Sequence, residues 1–132
     1  MAAIRVLVVE DVPELARLLE MTLELDERFE PVGTATSGGA ALDIAARRQP
    51  DAVVLDVTID GVDGLGILPV LRRVTPDARI IVFTGHDDDR LRDEALHAGA
   101  AAWVLKGGDL GTLFDELAVG LDDATAETHV QS

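Results

Sequence analysis

Short apolar runs alternate with longer amphipathic segments along the chain. Five runs rich in β-branched and other apolar residues are each followed by a segment whose apolar positions lie three and four residues apart. Such alternation is typical of βαβ units with a parallel sheet. The first, third and fourth runs are almost continuously apolar, as expected for strands covered on both faces. The predicted strands lie near Ile4 to Val9, Phe29 to Ala35, Ala52 to Asp56, Ala78 to Thr84 and Ala101 to Leu105.

The amphipathic segments predict five helices. The first has Pro13 in its first turn, where a missing amide hydrogen is harmless, and the second follows Ser37, a good cap. The third, from about Asp63 to Val74, contains Pro69, which should kink or locally open it. The fourth is expected from about Asp88 to Ala98, and the fifth opens at Asp109. The inward stripe predicted for the first helix comprises Val12, Leu15, Leu18, Leu19, Leu23 and Leu25.

The length of 132 residues suits a single domain and leaves no room for a second one, so we expect no appended output domain. Apolar periodicity is lost after Leu121, and residues 122–132 are therefore expected to form a flexible C-terminal tail. With aromatic residues at 3%, the core must be built from Ala, Val, Leu and Ile. That composition favours an α/β protein.

An excess of acidic residues limits the partners that the chain can have. Eleven basic and 25 acidic residues give a formal net charge of −14. Phosphate backbones and anionic membranes do not attract such a surface, so we expect no direct binding to nucleic acid and none to membranes. The chain has no cysteine and no apolar run near the roughly 20 residues that cross a bilayer. We therefore expect a cytoplasmic protein.

Residues suited to phosphoryl chemistry follow four of the predicted strands. Glu10 and Asp11 end the first run, Asp56 ends the third, Thr84 the fourth and Lys106 the fifth. The carboxyl ends of parallel strands meet at one rim, where open α/β sheets bind ligands. There the threonine can donate a hydrogen bond to a phosphoryl oxygen. The lysine, the only one in the chain, is a compact cation suited to neutralising a transferred phosphoryl group.

The carboxylate of Asp56 can act as a nucleophile toward phosphorus, but two anions repel each other unless cations intervene. Glu10 and Asp11 beside it would form a hard oxygen site for Mg²⁺ with positions left for water and phosphoryl oxygens. The backbone carbonyl of Thr58 is the candidate that completes the metal shell. Lys106 would supply the second positive charge.

These residues, in this order, make the chain resemble a receiver domain of the two-component response regulator family over residues 4 to 121. The motifs are the acidic pair of VVED, the phosphoacceptor position of VVLD, Asp63 and Gly64, Thr84 of VFTG, the AGA of residues 98–100, and Lys106. The resemblance implies a receiver domain over residues 1–121. It also implies a flavodoxin-like, doubly wound sheet of five parallel strands in the order 2-1-3-4-5, with helices on both faces.

The same resemblance implies a stand-alone signalling module, chemotaxis-regulator-like, whose Asp56 accepts a phosphoryl group from a phosphohistidine in a Mg²⁺-dependent reaction. The donor would be a sensor histidine kinase or a histidine phosphotransfer protein. Glu10, Asp11 and Asp56 would bind the metal, while Thr84 and Lys106 hold the phosphoryl oxygens. The module would not be an enzyme beyond weak self-phosphotransfer and autodephosphorylation.

Phosphorylation in this family changes a protein-binding surface. The resemblance implies that Thr84 and Trp103 form the switch and that a downstream protein binds the face of the fourth helix, fifth strand and fifth helix. Thr58 and His86, each two residues beyond a site residue, would modulate hydrolysis of the phosphoaspartate. The sequence leaves open whether phosphorylation produces a homodimer, which kinase and target are involved, and whether the chain is a natural stand-alone protein.

Three positions depart from the family pattern. Asp60 replaces a common proline four residues after the phosphoacceptor, and Gly107 replaces the proline that commonly follows the lysine. Trp103 replaces a tyrosine or phenylalanine. These departures keep a degenerate receiver, binding without phosphorylation, as the alternative.

Two other classes fit less well. An aspartate-nucleophile phosphatase would need an acid where Thr58 stands, to protonate the leaving group. A flavin electron carrier would need a phosphate-binding loop where the anionic VEDVPE follows the first strand.

Overall fold

The computed structural model of the protein describes residues 2–59 and 62–119. Its centre is a sheet of five parallel strands in the order β2-β1-β3-β4-β5. This order, with helices on both faces, is the flavodoxin-like topology that the family resemblance implied. The strands are β1 (Ile4–Val9), β2 (Phe29–Ala35), β3 (Ala52–Leu55), β4 (Arg79–Thr84) and β5 (Ala102–Leu105).

Five helices pack on the two faces of the sheet. They are α1 (Pro13–Leu25), α2 (Gly38–Arg48), α3 (Leu68–Val74), α4 (Asp89–His97) and α5 (Gly111–Leu117). One apolar cluster joins α1 and α5 to the sheet, and the other joins α2, α3 and α4 to the opposite face. Helices cover strands β1, β3 and β4 on both faces of the sheet, which is why the sequences of these strands are continuously apolar. None of the helices described here is long and apolar enough to span a bilayer.

The strand register brings the carboxyl ends of the inner strands to one level. Val9 of β1 lies opposite Leu55 of β3, and Leu55 lies opposite Val82 of β4. At the next junction Thr84 lies opposite Leu105 of β5. The residues that follow these strands therefore meet at one rim.

The apolar stripe predicted for α1 is partly wrong. Leu19 and Leu23 are buried as expected, whereas Val12, Leu18 and Leu25 are 46%, 50% and 85% exposed. Leucines occur on two sides of this helix, and three- and four-residue steps connect each set, so spacing alone did not separate them. The buried face also includes Ala16, which the leucines obscured.

The segment before α3 also differs from the prediction of one helix from about Asp63. Residues Thr58–Ile59 and Val62–Asp63 form a short antiparallel hairpin, and a 3₁₀ turn spans Gly64–Ile67. Pro69 consequently lies in the first turn of α3, where its missing amide hydrogen removes no helical bond. The helix begins where proline permits, so no kink is required.

The caps of α2 and α4 agree with their predicted signals, whereas the start of α5 does not. Ser37 accepts a hydrogen bond from the Ala40 amide at 3.2 Å, and Asp88 caps α4. Gly99, after α4, has φ +114°, a backbone conformation that favours glycine. Helix α5 starts at Gly111 rather than at Asp109, whose side chain accepts a hydrogen bond from the Gly111 amide. Asp60, Leu121 and the predicted tail lie outside the described residues.

Candidate functional site

Backbone hydrogen bonds at the ends of β1 and β3 hold the acidic residues in place. The Glu10 amide donates to the carbonyl of Ala35 at 2.9 Å, and the Asp56 amide donates to the carbonyl of Val9 at 3.0 Å. Each acid therefore continues the parallel ladder by one bond beyond its strand. These bonds fix the backbone positions from which the two acidic side chains extend.

Three carboxylates converge at this rim, as the sequence predicted. One oxygen each from Glu10, Asp11 and Asp56 lies within 4.8 Å of the others. Glu10 and Asp56 are buried, and Asp11 is half-buried. Anionic groups this close repel one another, and repulsion is stronger where water is excluded. Such a cluster requires positive charge nearby.

Lys106 supplies part of that charge. Its Nζ lies 2.7 Å from Glu10 Oε1 and 3.3 Å from Asp56 Oδ2. The Lys106 amide donates to the carbonyl of Thr84 at 2.7 Å, which anchors the residue just beyond β5. The next residue, Gly107, has φ +100°, so glycine suits the turn better than the proline common in the family. With all groups ionised, three carboxylates and one ammonium leave two negative charges.

Burial shifts the pKa of Glu10. Desolvation raises the pKa of this carboxyl above its usual value, and the nearby Asp56 carboxylate raises it further. Hydrogen bonds from Lys106 and from the Val12 amide, the latter 3.1 Å from Glu10 Oε2, oppose this rise without cancelling it. The ionised form of Glu10 is therefore less favourable in the folded protein than in water.

Thr84 reaches the rim but is completely buried. Its Oγ1 accepts a hydrogen bond from the His86 amide at 3.1 Å, which ties the loop after β4 to the end of the strand. His86 itself is exposed. Thr58 begins the short hairpin after β3, where it pairs with Asp63. The roles predicted for Thr58, Thr84 and His86 remain predictions.

Phe83 is a rim residue that the sequence analysis missed. Lys106 Nζ lies 5.8 Å from the centroid of its buried ring. An ammonium at this distance is attracted to the ring face, which helps to orient the lysine. The sequence feature that could have identified it is an aromatic residue directly before Thr84 in a strand that is otherwise aliphatic.

Trp103 lies in β5 opposite Val82 and is half-buried. It packs against the apolar cluster that α2, α3 and α4 share with the sheet. The indole is therefore on the α4 side of β5. The part of Trp103 in a switch stays a prediction.

The family profile named response regulator receiver domain matches residues 6–118 of this chain. This range includes all three acidic residues, the threonine and the lysine of the rim. The chain belongs to the response regulator receiver domain family. It is a receiver domain of the kind found in two-component response regulators, and the acidic pocket of that family is present.

Curated relatives are longer proteins. The nitrate/nitrite response regulator protein NarP of Escherichia coli is 34% identical over 116 residues, which cover 88% of this chain and 54% of that protein. A homologue from Haemophilus influenzae is 32% identical over 114 residues, covering 86% and 55%. The chain thus spans about half the length of these relatives. Protein-glutamate methylesterase/protein-glutamine glutaminase 5 of Myxococcus xanthus is 37% identical, and the match covers 83% of this chain but 32% of that enzyme.

Solved structures show the same architecture. The signal receiver domain of the response regulator NarL from Mycobacterium tuberculosis has a TM-score of 0.80 and 28% identity, covering 95% of this chain and 98% of that one. A LuxR-family regulator from Aurantimonas has a TM-score of 0.84 and 27% identity, covering 92% and 87%. A regulator from Burkholderia pseudomallei, solved with a phosphorylated aspartic acid and a calcium ion, has a TM-score of 0.81 at 23% identity over 97% of this chain and 74% of that one. The last likeness concerns the fold alone.

Proposed function

We propose that this receiver domain accepts a phosphoryl group on Asp56 and that phosphorylation changes a protein-binding surface. The observation that carries the proposal is the position of the Asp56 carboxylate. It is buried at the sheet rim, 3.3 Å from Lys106 Nζ and within 4.8 Å of carboxylate oxygens of Glu10 and Asp11. A nucleophile, a cation and candidate metal ligands therefore share one small site.

The proposed reaction transfers a phosphoryl group between two nucleophiles. A carboxylate oxygen of Asp56 forms a bond to phosphorus as the phosphorus–nitrogen bond of a phosphohistidine breaks, and the leaving imidazole regains a proton. The ammonium of Lys106 is placed to stabilise negative charge on the phosphoryl oxygens. Thr84 is proposed to donate a hydrogen bond to one of them.

The donor set fits Mg²⁺. Three carboxylates are hard oxygen ligands, and opposite ligands of this ion lie about 4.2 Å apart at its usual bond length. The observed separation of at most 4.8 Å requires only small side-chain movements. A bound divalent cation would balance the two excess negative charges and reduce repulsion toward the incoming phosphoryl group. Glu10, Asp11 and Asp56 are the proposed side-chain ligands, with the Thr58 carbonyl as the backbone ligand.

Trp103 is the proposed reporter of the switch. It packs against the same apolar cluster as Ala95 of α4, on the face proposed to bind the downstream protein. If phosphorylation draws Thr84 toward the phosphoryl group, the packing beside Trp103 changes. Adding beryllofluoride with Mg²⁺ should then shift indole emission in the parent but not in Asp56→Asn. An unchanged spectrum in fully modified protein would make Trp103 a packing residue only.

Phosphorylation itself has a direct test with a matched control. Asp51 and Asp56 flank β3, at its amino and carboxyl ends respectively. Incubation with acetyl phosphate and Mg²⁺ should add the mass of one phosphoryl group to the parent and to Asp51→Asn. The addition should be absent in Asp56→Asn. Equal labelling of all three proteins would overturn the assignment.

The proposed donor is a sensor histidine kinase or histidine phosphotransfer protein, and the proposed output is binding to a protein at the face of α4, β5 and α5. The relatives named as response regulators support this class of partner. Weak self-phosphotransfer and hydrolysis of the acyl phosphate are the only catalysis proposed, with Thr58 and His86 as modulators of the hydrolysis. The expected lack of binding to nucleic acid stays a prediction, as does a phosphorylation-dependent homodimer.

A further inference from the structure

Helix α1 has a second apolar stripe on its solvent side. Leu18, Met21 and Leu25 are 50%, 53% and 85% exposed and follow the three- and four-residue steps of a helix face. The buried residues Ala16 and Leu23 lie on the opposite side. Among the described residues, six large hydrophobic side chains are exposed, and four of them are in α1 or directly before it. The apolar exposure is thus concentrated on one helix.

Two charged residues on one flank of this stripe lack an ion-pair partner in the described part of the chain. Arg17 and Glu24 are both exposed, and neither is within 4.0 Å of an oppositely charged group. They are seven residues apart, or about two helical turns, so they lie on the same flank. The midpoint between them is within one residue of the midpoint between Leu18 and Leu25.

We infer that this face of α1 binds a second copy of the chain, with the two α1 helices antiparallel. A two-fold axis across the helices brings the same flank of each copy together and reverses the residue order. Arg17 of one copy then faces Glu24 of the other, twice, while Leu18 faces Leu25 and Met21 lies near the axis. A parallel two-fold pair would instead put this flank of each copy on opposite sides of the interface, so Arg17 and Glu24 would stay unpaired. Charge complementarity therefore selects both the partner and the orientation.

The expected dimer is weak. One helix of 13 residues buries little surface compared with a stable interface, and the net charge of −14 on each copy opposes association. An interface made of two ion pairs and one apolar stripe buries an area at the low end of the range for protein–protein interfaces. Self-association through α1 does not require phosphorylation, so its test is independent of the proposed function.

Sedimentation equilibrium over a range of protein concentrations tests the inference. The average mass of the parent should rise from 14.0 kDa toward twice that value. Arg17→Glu and Glu24→Arg should each weaken the dimer by about tenfold or more, because attraction becomes repulsion. An equimolar mixture of the two variants, and the double variant, should associate like the parent.

Arg90→Glu is the matched control, since it changes the net charge equally on exposed residue 90 of α4. This variant should associate nearly as well as the parent. A parent that stays at 14.0 kDa at all concentrations would overturn the inference and leave the stripe to a different protein. Equal weakening by Arg17→Glu and Arg90→Glu, or a mixture of single variants that does not associate, would also overturn it.

Discussion

The two ends of the central sheet both hold charged side chains, but they use them differently. At the amino end, Arg79 donates through Nε to the carbonyl of Glu116 at 2.8 Å and pairs with the carboxylate of the same residue at 3.3 Å. Arg5 donates to the carbonyl of Gln49 at 2.9 Å. At the carboxyl end, one ammonium faces three carboxylates.

The charges at the amino end stabilise the fold, whereas those at the carboxyl end are placed for the proposed chemistry. Each arginine of the amino end meets backbone carbonyls or a single carboxylate, and these bonds connect neighbouring elements of the fold. Arg72 likewise donates to the carbonyls of Pro76 and Ala78, next to the turn at Gly99. The carboxyl end instead keeps an excess of negative charge in a buried place, which folding alone does not require. A divalent cation would neutralise that excess and so allow an anionic phosphoryl group to approach Asp56.

Removal of the cation at each end should give the largest contrast. Lys106→Met leaves Glu10 and Asp56 buried without positive charge and should lower the free energy of unfolding by about 3 kcal/mol. Arg79→Met removes a hydrogen bond and an ion pair that are partly exposed to solvent, and it should lower the free energy of unfolding by about 1 kcal/mol. Urea unfolding of both variants measures the difference.

Mg²⁺ should sharpen this contrast. An ion held by the proposed ligands would supply charge near Lys106, so millimolar Mg²⁺ should reduce the cost of Lys106→Met and leave that of Arg79→Met unchanged. A cost of Lys106→Met that is the same with and without Mg²⁺ would mean that the lysine serves the fold in the same way as the arginines.

The second contrast concerns metal binding by the parent. At ten times its dissociation constant, Mg²⁺ should stabilise the protein by about 1.4 kcal/mol, or about 5 °C in melting temperature. Asp11→Asn should lose most of this gain, yet it should raise stability in metal-free buffer because repulsion falls. Asp51→Asn, at the amino end, should keep the full gain. Calorimetry that finds no response of the parent to Mg²⁺ would reject the site.

A smaller effect follows from the raised pKa of Glu10. In the window above its usual value of 4.5, the folded protein holds the proton that the unfolded chain has lost. Stability from this residue is therefore present at low pH and is lost as pH rises through the folded pKa. In metal-free buffer, the parent should lose stability relative to Glu10→Gln across that window. Unfolding curves whose difference does not change with pH would contradict the cause given for the shift.

The sequence predicted the sheet closely because its inner strands are buried on both faces. Every predicted strand end lies within one residue of its observed position, and the strand ends located Glu10, Asp56 and Lys106 at one rim. Leucine spacing failed on α1, since the helix has two apolar sides and only tertiary packing decides which is buried. Three acidic side chains lie near Lys106, and no rule based on sequence spacing tells which of them the ammonium contacts at the shorter distance.

The most direct test of the central claim is to locate the acyl phosphate after treatment with acetyl phosphate and Mg²⁺. Borohydride reduces a phosphorylated aspartate to homoserine, and trypsin releases residues 49–72 as one peptide, with aspartates at 51, 56, 60 and 63. Fragmentation should place homoserine at Asp56 alone. Homoserine at the amino-end Asp51, or at 60 or 63 with Asp56 unmodified, would contradict the assignment of the carboxyl-end rim as the phosphorylation site.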